Sequence, residues 1–165
     1  MDTNARKVVV DVNDVINLTL EFAGVHTGHR AELETILQML GRDVVINDEL
    51  VLIQPVISRH IVDVARTVLR RRMDALQLES VLKVALRRIL VRNGIFDATV
   101  EDYRALSRLC WARGGTDTED EAVVACAERK NAGVITEDKE LLTYLNGRKI
   151  PCWSIKEFVV IAQKV

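Results

Sequence analysis

Three aspartates stand where chemistry collects in an α/β protein. Asp11 ends the apolar run Val8-Val9-Val10, Asp138 follows Val134-Ile135-Thr136, and Asp120 opens a helical pattern. A single Asp after a strand is commonly a turn residue or a helix cap. Three of them at the exits of separate elements converge if the sheet is parallel, because ligands of open α/β sheets gather outside the carboxyl ends of the strands. The set is all oxygen, and carboxylates without His or Cys partners suit the hard cations Mg2+ and Mn2+ rather than zinc. His26 and His29 flank Gly28 with no matching second pair, so they read as a loop, and His60 reads as a helix surface residue.

The elements that must position these acids follow from hydrophobic periodicity. Lys7 to Asp11 is a short β-branched strand, followed by a helix through Ile16, Leu20 and Phe22. Ala31 to Leu40 carries apolar residues at 33, 36, 37 and 40 and stops at Gly41, the pattern of an amphipathic helix. Residues 50 to 57 form an apolar strand in which Pro55 demands an edge or a bulge. Ser58 caps a helix with Ile61, Val64, Ala65 and Val68 on one face and Arg59, Asp63, Arg66 and Arg70 on the other. Gln77 to Arg92 is a further helix. Thr99 to Asp102 and Thr118 to Glu121 have the form of capping boxes, the first opening a helix to about Arg113. A strand over Gly133 to Thr136, a helix over Lys139 to Leu145, a strand near Lys149 to Trp153 and a helix capped by Ser154 complete the chain. Strands alternating with helices imply right-handed crossovers and a mainly parallel sheet with helices on both faces, a three-layer α/β/α sandwich.

Composition bounds the partners. The 165 residues are read as one domain, 1–165, with 48% apolar residues but only 4% aromatic ones, as suits a Val, Leu, Ile and Ala core. A net charge of −1 excludes a global basic field for nucleic acid, so a polyanion has to be held locally. Arg70-Arg71-Arg72 and Arg87, Arg88 and Arg92 are candidate phosphate contacts, against the simpler role of solvated helix ends. No apolar run approaches the roughly 20 residues that span a bilayer, and Met1 to Lys7 lead into a strand rather than a signal-peptide core. Cys110, Cys126 and Cys152 are odd in number and lie among apolar neighbours, so they read as buried thiols of a reducing, cytoplasmic compartment.

Three segments taken together resemble the PIN domain: Val-Val-Val-Asp11-Val-Asn13, then Asp117-Thr-Glu-Asp120-Glu-Ala-Val-Val-Ala-Cys-Ala127, then Val-Ile-Thr136-Glu-Asp138-Lys-Glu-Leu141-Leu. The stretch from Asp117 to Phe158 carries the specific part of the match. The resemblance implies an α/β/α sandwich that hydrolyses RNA with Mg2+ or Mn2+, and, in a chain of this size, the toxin of a VapC-type toxin–antitoxin pair. Carried over by position, Asp11, Asp120 and Asp138 become the catalytic and metal-site carboxylates, Asp117 a further metal-site acid, and Asn13 and Thr136 the polar residues that orient them. An ion so held would acidify a water, hold the phosphate in line and neutralise the leaving oxygen, with no side-chain nucleophile required.

The pattern departs at one functional position. The family's Glu, six residues after the Ser that begins the helix, is replaced by Val64, and Asp63 sits one residue earlier. A one-residue step on a helix rotates a side chain by about 100°, which turns Asp63 away from the apolar stripe. Smaller departures are Val12, where a hydroxyl is common, and Glu137, where Gly is common. The competing reading is therefore a catalytically impaired PIN-fold module that binds RNA or protein. A haloacid-dehalogenase phosphatase ranks below both, because Asn13 stands where that chemistry wants an acid. A toxin would pair with a cognate antitoxin that lays a segment in an apolar groove and sends a basic side chain toward the acids. The helix stripes Ile36, Leu37, Leu40 and Leu82, Leu86, Leu90 are candidate groove or homodimer surfaces, and core packing explains them equally well.

Overall fold

The computed structural model of the chain describes residues 5–99 and 118–164. Strand β1 (Ala5–Val10) enters helix α1 (Val12–Phe22), and α2 (Arg30–Leu37) leads to a hairpin of β2 (Asp43–Ile46) and β3 (Glu49–Ser58). Helices α3 (Arg59–Leu69) and α4 (Ala75–Leu90) and strand β4 (Ile95–Asp97) follow. After residue 117 come α5 (Thr118–Lys130), β5 (Gly133–Ile135), α6 (Lys139–Gly147), β6 (Cys152–Trp153), α7 (Ile155–Ile161) and β7 (Gln163–Lys164).

The sheet runs β6-β5-β1-β3-β2-β7, with β4 beside the far half of β3. Pairs β1–β3, β1–β5, β3–β4 and β5–β6 are parallel, and β2 runs antiparallel to its neighbours β3 and β7. Successive strand residues point to opposite faces. Val8, Val9 and Val10 are nevertheless all buried, as are Val56 with Ile57 and Val134 with Ile135, so both faces of the central strands are covered. The fold is a three-layer α/β/α sandwich with a mainly parallel sheet, as the sequence implies. Each fully buried Val, Leu or Ile of this core contributes roughly 1.5–3 kcal/mol.

Pro55 occupies neither an edge strand nor a bulge. Ile53 exchanges both its backbone groups with the turn before β2, donating to Arg42 O and accepting from Gly41 N. Backbone groups alternate along a strand, so Pro55 faces the same side as Ile53. On that side β2 pairs only residues 49 to 52 and β4 only residues 56 to 58. The missing N–H falls in the gap between two short neighbours, and no ladder bond is lost.

Other expectations are corrected by packing. Ile36, Leu40 and Leu82 are core residues, and Leu37, Leu86 and Leu90 pack against that core, so neither stripe is a free surface. His60 is half-buried rather than superficial; its Nε2 finds no hydrogen-bond partner among the described residues, and burial lowers its pKa. Cys126 is a buried thiol whose pKa burial pushes up to about 12, but Cys152 is only half-buried. Cys110, Asp117 and the helix expected after Thr99 lie outside the described residues.

Candidate active site

The parallel register fixes the centre of the site. Val10 of β1 lies opposite Ile135 of β5, so the next residues, Asp11 and Thr136, leave adjacent strands side by side at the carboxyl edge. Asp11 is the N-cap residue of α1 in an extended conformation, and its side chain does not cap that helix. Instead its Oδ2 accepts a 2.6 Å hydrogen bond from the Thr136 hydroxyl, with both residues buried. Thr136 Oγ1 in turn accepts from the backbone N–H of Asp138 at 3.1 Å. One hydroxyl therefore ties together the two acids that end β1 and follow β5, and the short bond to a charged acceptor belongs to the stronger class.

Asp138 has a second task. Its Oδ1 caps α6 by accepting from Glu140 N at 3.0 Å and Leu141 N at 3.2 Å, which fixes the carboxylate at the head of the helix. Both bonds fall on Oδ1, so Oδ2 is not committed to the cap. Asp120 stands in the first turn of α5, half-buried. Helix α5 packs on β1, β3 and β5 and feeds β5, so its first turn lies at the same carboxyl edge as Asp11. Asp120, Glu121 and Asp11 all take part in further polar interactions. Among the described residues no three Asp, Glu, His or Cys side chains are gathered into a preformed ion cage.

The site contains acids that the sequence reading passed over. Asp14 sits one turn into α1, three residues after Asp11, and is buried. Burial first, then the carboxylates of Asp11, Glu137 and Glu32, raise its pKa well above the ordinary Asp range. Asn13, Asp14, Asn17, Glu32, Glu137 and Asp138 line one open cleft of about 350 Å³. Glu137 also accepts from Ile155 N at 2.6 Å, pinning the start of α7 to the same edge. Glu121, next to Asp120, is fully buried. Asp14 left only an i+3 spacing from a strand-ending Asp, a trace that ordinary first-turn acids share, and for Glu121 and Glu32 the sequence offered none.

Two expected residues fall elsewhere or play a plainer part. Asp63 is exposed on α3 and pairs with Arg66 at 2.9 Å, and Val64 packs against the core. Asn13 is exposed on the lip of the cleft. A separate polar cluster lies at the carboxyl ends of β3 and β4. There Asp97, 3% exposed, pairs with Arg129 of α5 at 2.6 Å and accepts from Thr99 N at 3.1 Å.

The donor chemistry at the edge fits a hard divalent cation: all oxygen, partly buried, and with mutual repulsion that a positive charge would relieve. Solved structures with the same arrangement of elements are known. VapBC-1 of nontypeable Haemophilus influenzae aligns over 91% of this chain and 98% of its own matched chain, with a TM-score of 0.55 at 12% identity. The chain has a PIN-like, VapC-like fold. PAE2754 of Pyrobaculum aerophilum aligns over 94% of this chain and 93% of its own, with a TM-score of 0.52 at 15% identity. VapBC2 of Rickettsia felis, solved bound to a DNA fragment from its promoter, aligns over 90% and 99% with a TM-score of 0.51 at 16% identity. No protein-family model matches the sequence, and no curated protein matches it. At these identities the likeness concerns the VapC-like fold alone.

Proposed function

We propose that this chain is a metal-dependent endoribonuclease that hydrolyses RNA phosphodiester bonds, and that it is the toxin of a type II toxin–antitoxin pair acting in the cytoplasm. The observation that carries the reading is the Asp11–Thr136–Asp138 linkage at the carboxyl edge, beside the buried Asp14, in a VapC-like fold. Asp11, Asp138 and Asp120 are the residues that would hold Mg2+ or Mn2+, with Asp14 beside them and Asp117 as a further candidate. When bound, the ion supplies an acidified water and charge neutralisation at phosphate. Thr136 holds the Asp11 carboxylate in one orientation, and the α6 cap does the same for Asp138. Leu33, Val10 and Ile135 wall the inner side of Asp14 and keep its surroundings apolar.

The same edge suits a protein inhibitor. A groove of about 350 Å³ between α2 and α7 is lined by Ala31, Thr35, Ile155, Val159 and Val160 together with Glu32, Glu137 and Lys156. An antitoxin segment lying there could direct a basic side chain into the acids. This groove replaces the α2 and α4 stripes named from sequence, which are core.

A second reading, a PIN-fold module that binds without turnover, is favoured by one observation: Asp63 faces solvent with Arg66 instead of completing the acidic edge. Incubation of the purified full chain with RNA and Mn2+ separates the two. The proposal expects cleavage that is lost in excess chelator and lost in Asp11→Asn. RNA binding without cleavage would overturn it in favour of the module.

A further inference from the structure

At the opposite end of the sheet the structure holds a hollow of about 420 Å³ among Arg6, Lys7, Lys130, Asn131, Gly133 and Trp153. We infer that this notch, at the amino ends of β1 and β5, is a site for one nucleotide unit of single-stranded RNA. The inference rests on the proposal that RNA is the substrate, and its site lies far from the carboxylates. Arg6 and Asp11 are five residues apart on one strand, roughly 16 Å.

The notch follows from register. Strand β5 begins with Gly133 opposite Val8, so Ala5, Arg6 and Lys7 have β3 on one side and, among the described residues, no strand on the other. The space beside them is floored by Gly133 and walled by Trp153 of the edge strand β6. A Cβ at Gly133 would lie 2.6 Å from the Trp153 ring, so any larger residue there would displace the ring. The ring makes an edge contact with the buried Phe158, centroids 5.5 Å apart at 62°. Helix α5 then delivers Lys130 to the rim, and Asn131 turns the chain away with a positive φ of 50°.

A lone lysine at a helix C-terminus is favourable without any ligand. Arg6 and Lys7, on opposite faces of β1, and Lys130 surround a single hollow that no acid among the described residues lines, and with an indole as one wall they match a different requirement. Single strands are gripped by cationic grooves that track phosphate and by aromatic faces on which a base stacks. The volume accommodates one nucleotide, and the net charge of the chain leaves such local cation groups as the way to hold a polyanion.

The test uses the full chain in excess chelator, which separates binding from turnover, with a short fluorescein-labelled oligouridylate followed by anisotropy. Binding should weaken with salt, by a slope of about −0.7 per phosphate contacted. Arg6→Glu combined with Lys130→Glu, both outside the core, should weaken it by about tenfold or more at an unchanged melting temperature and flatten the salt slope. Trp153→Leu should weaken it by about fivefold or more. The charge reversals decide if Trp153→Leu does not fold. Affinity indifferent to the reversals overturns the inference, and so does UMP competing as tightly as the oligonucleotide, which would mark a free-nucleotide site. Binding as described without Mn2+-dependent cleavage sinks the nuclease reading and leaves the notch standing. Cleavage with binding indifferent to Arg6 and Lys130 does the reverse.

Discussion

Replacing Thr136 by Val tests the link on which the site depends. The substitution keeps the β-branched shape and removes one hydroxyl that donates to Asp11 Oδ2 at 2.6 Å and accepts from Asp138 N at 3.1 Å. Thr136 is fully buried and Asp11 nearly so, so water does not replace the lost donor easily. A buried hydrogen bond to a charged group contributes about 1.5–3 kcal/mol, and the Asp138 N–H, which is partly exposed, adds up to about 1. Thr136→Val should therefore lose about 2–4 kcal/mol. For a chain of this length that lowers Tm by about 5–15 °C. Thr136→Ser keeps the hydroxyl and loses one methyl, so it should lose only about 1 kcal/mol. Urea unfolding of wild type, Thr136→Val, Asp11→Asn and the double variant gives the coupling directly, expected at about 1–3 kcal/mol for residues in contact. Stability of Thr136→Val within about 0.5 kcal/mol of wild type, or a Ser variant as weak as the Val variant, would refute the reasoning.

Two further outcomes follow from the electrostatics. Asp14 is buried among Asp11, Glu137 and Glu32, which disfavour its charge, so Asp14→Asn in chelator should raise the melting temperature at pH 7, and a fall would show that the carboxylate has a stabilising role in the ion-free protein. For Asp97, burial pushes the pKa up, but hydrogen bonds from Thr99 and Arg129 and the Arg129 charge outweigh it, leaving the folded value below the ordinary one. Its contribution is then complete above the unfolded pKa of about 3.9 and is lost as pH falls through the lower folded value. Arg129→Met should be less stable by about 2 kcal/mol at neutral pH. The difference from wild type should shrink only below about pH 4, and a gap that stays constant down to pH 2 in urea titrations would contradict it.

The parts of the fold legible in the sequence are those whose burial leaves a long periodic trace. The apolar run at Val8 to Val10 and the stripes of α3 and α4 announce themselves because both faces of the central strands and one face of each helix are covered. Strand β4 has three residues and leaves no period to read. Strand β2 has four, and its only flag is Asn47-Asp48, whose φ values of 50° and 64° make the mirror-image turn that Asn and Asp tolerate. Asp11, Thr136 and Asp138 were legible because a strand end is a local feature. Asp14 was not: an acid in a first helical turn is ordinary on dipole grounds, and it becomes unusual only when α2 and the turn after β5 bring Glu32 and Glu137 against it. Asp63 shows the opposite case, in which a single step of helical phase, visible in the sequence, sends an acid to solvent.

The charge of −1 conceals a molecule polarised along its central strand. β1 begins with Arg6 and Lys7 beside Lys130 and leads into Asp11, with Asp14, Glu137 and Asp138 around it. A polyanion meets attraction at one end of that axis and repulsion at the other, and over roughly 16 Å the two fields are largely independent at physiological salt, where the Debye length is about 8 Å. RNA reaching the acidic edge must therefore arrive with a cation already lowering the local potential, or be held from elsewhere on the surface. The acids alone would exclude the substrate they are proposed to cleave. On the proposed function, divalent ion would then matter for binding as well as for chemistry: in chelator the oligonucleotide should still engage the basic end, and Mn2+ should add access to the acidic one.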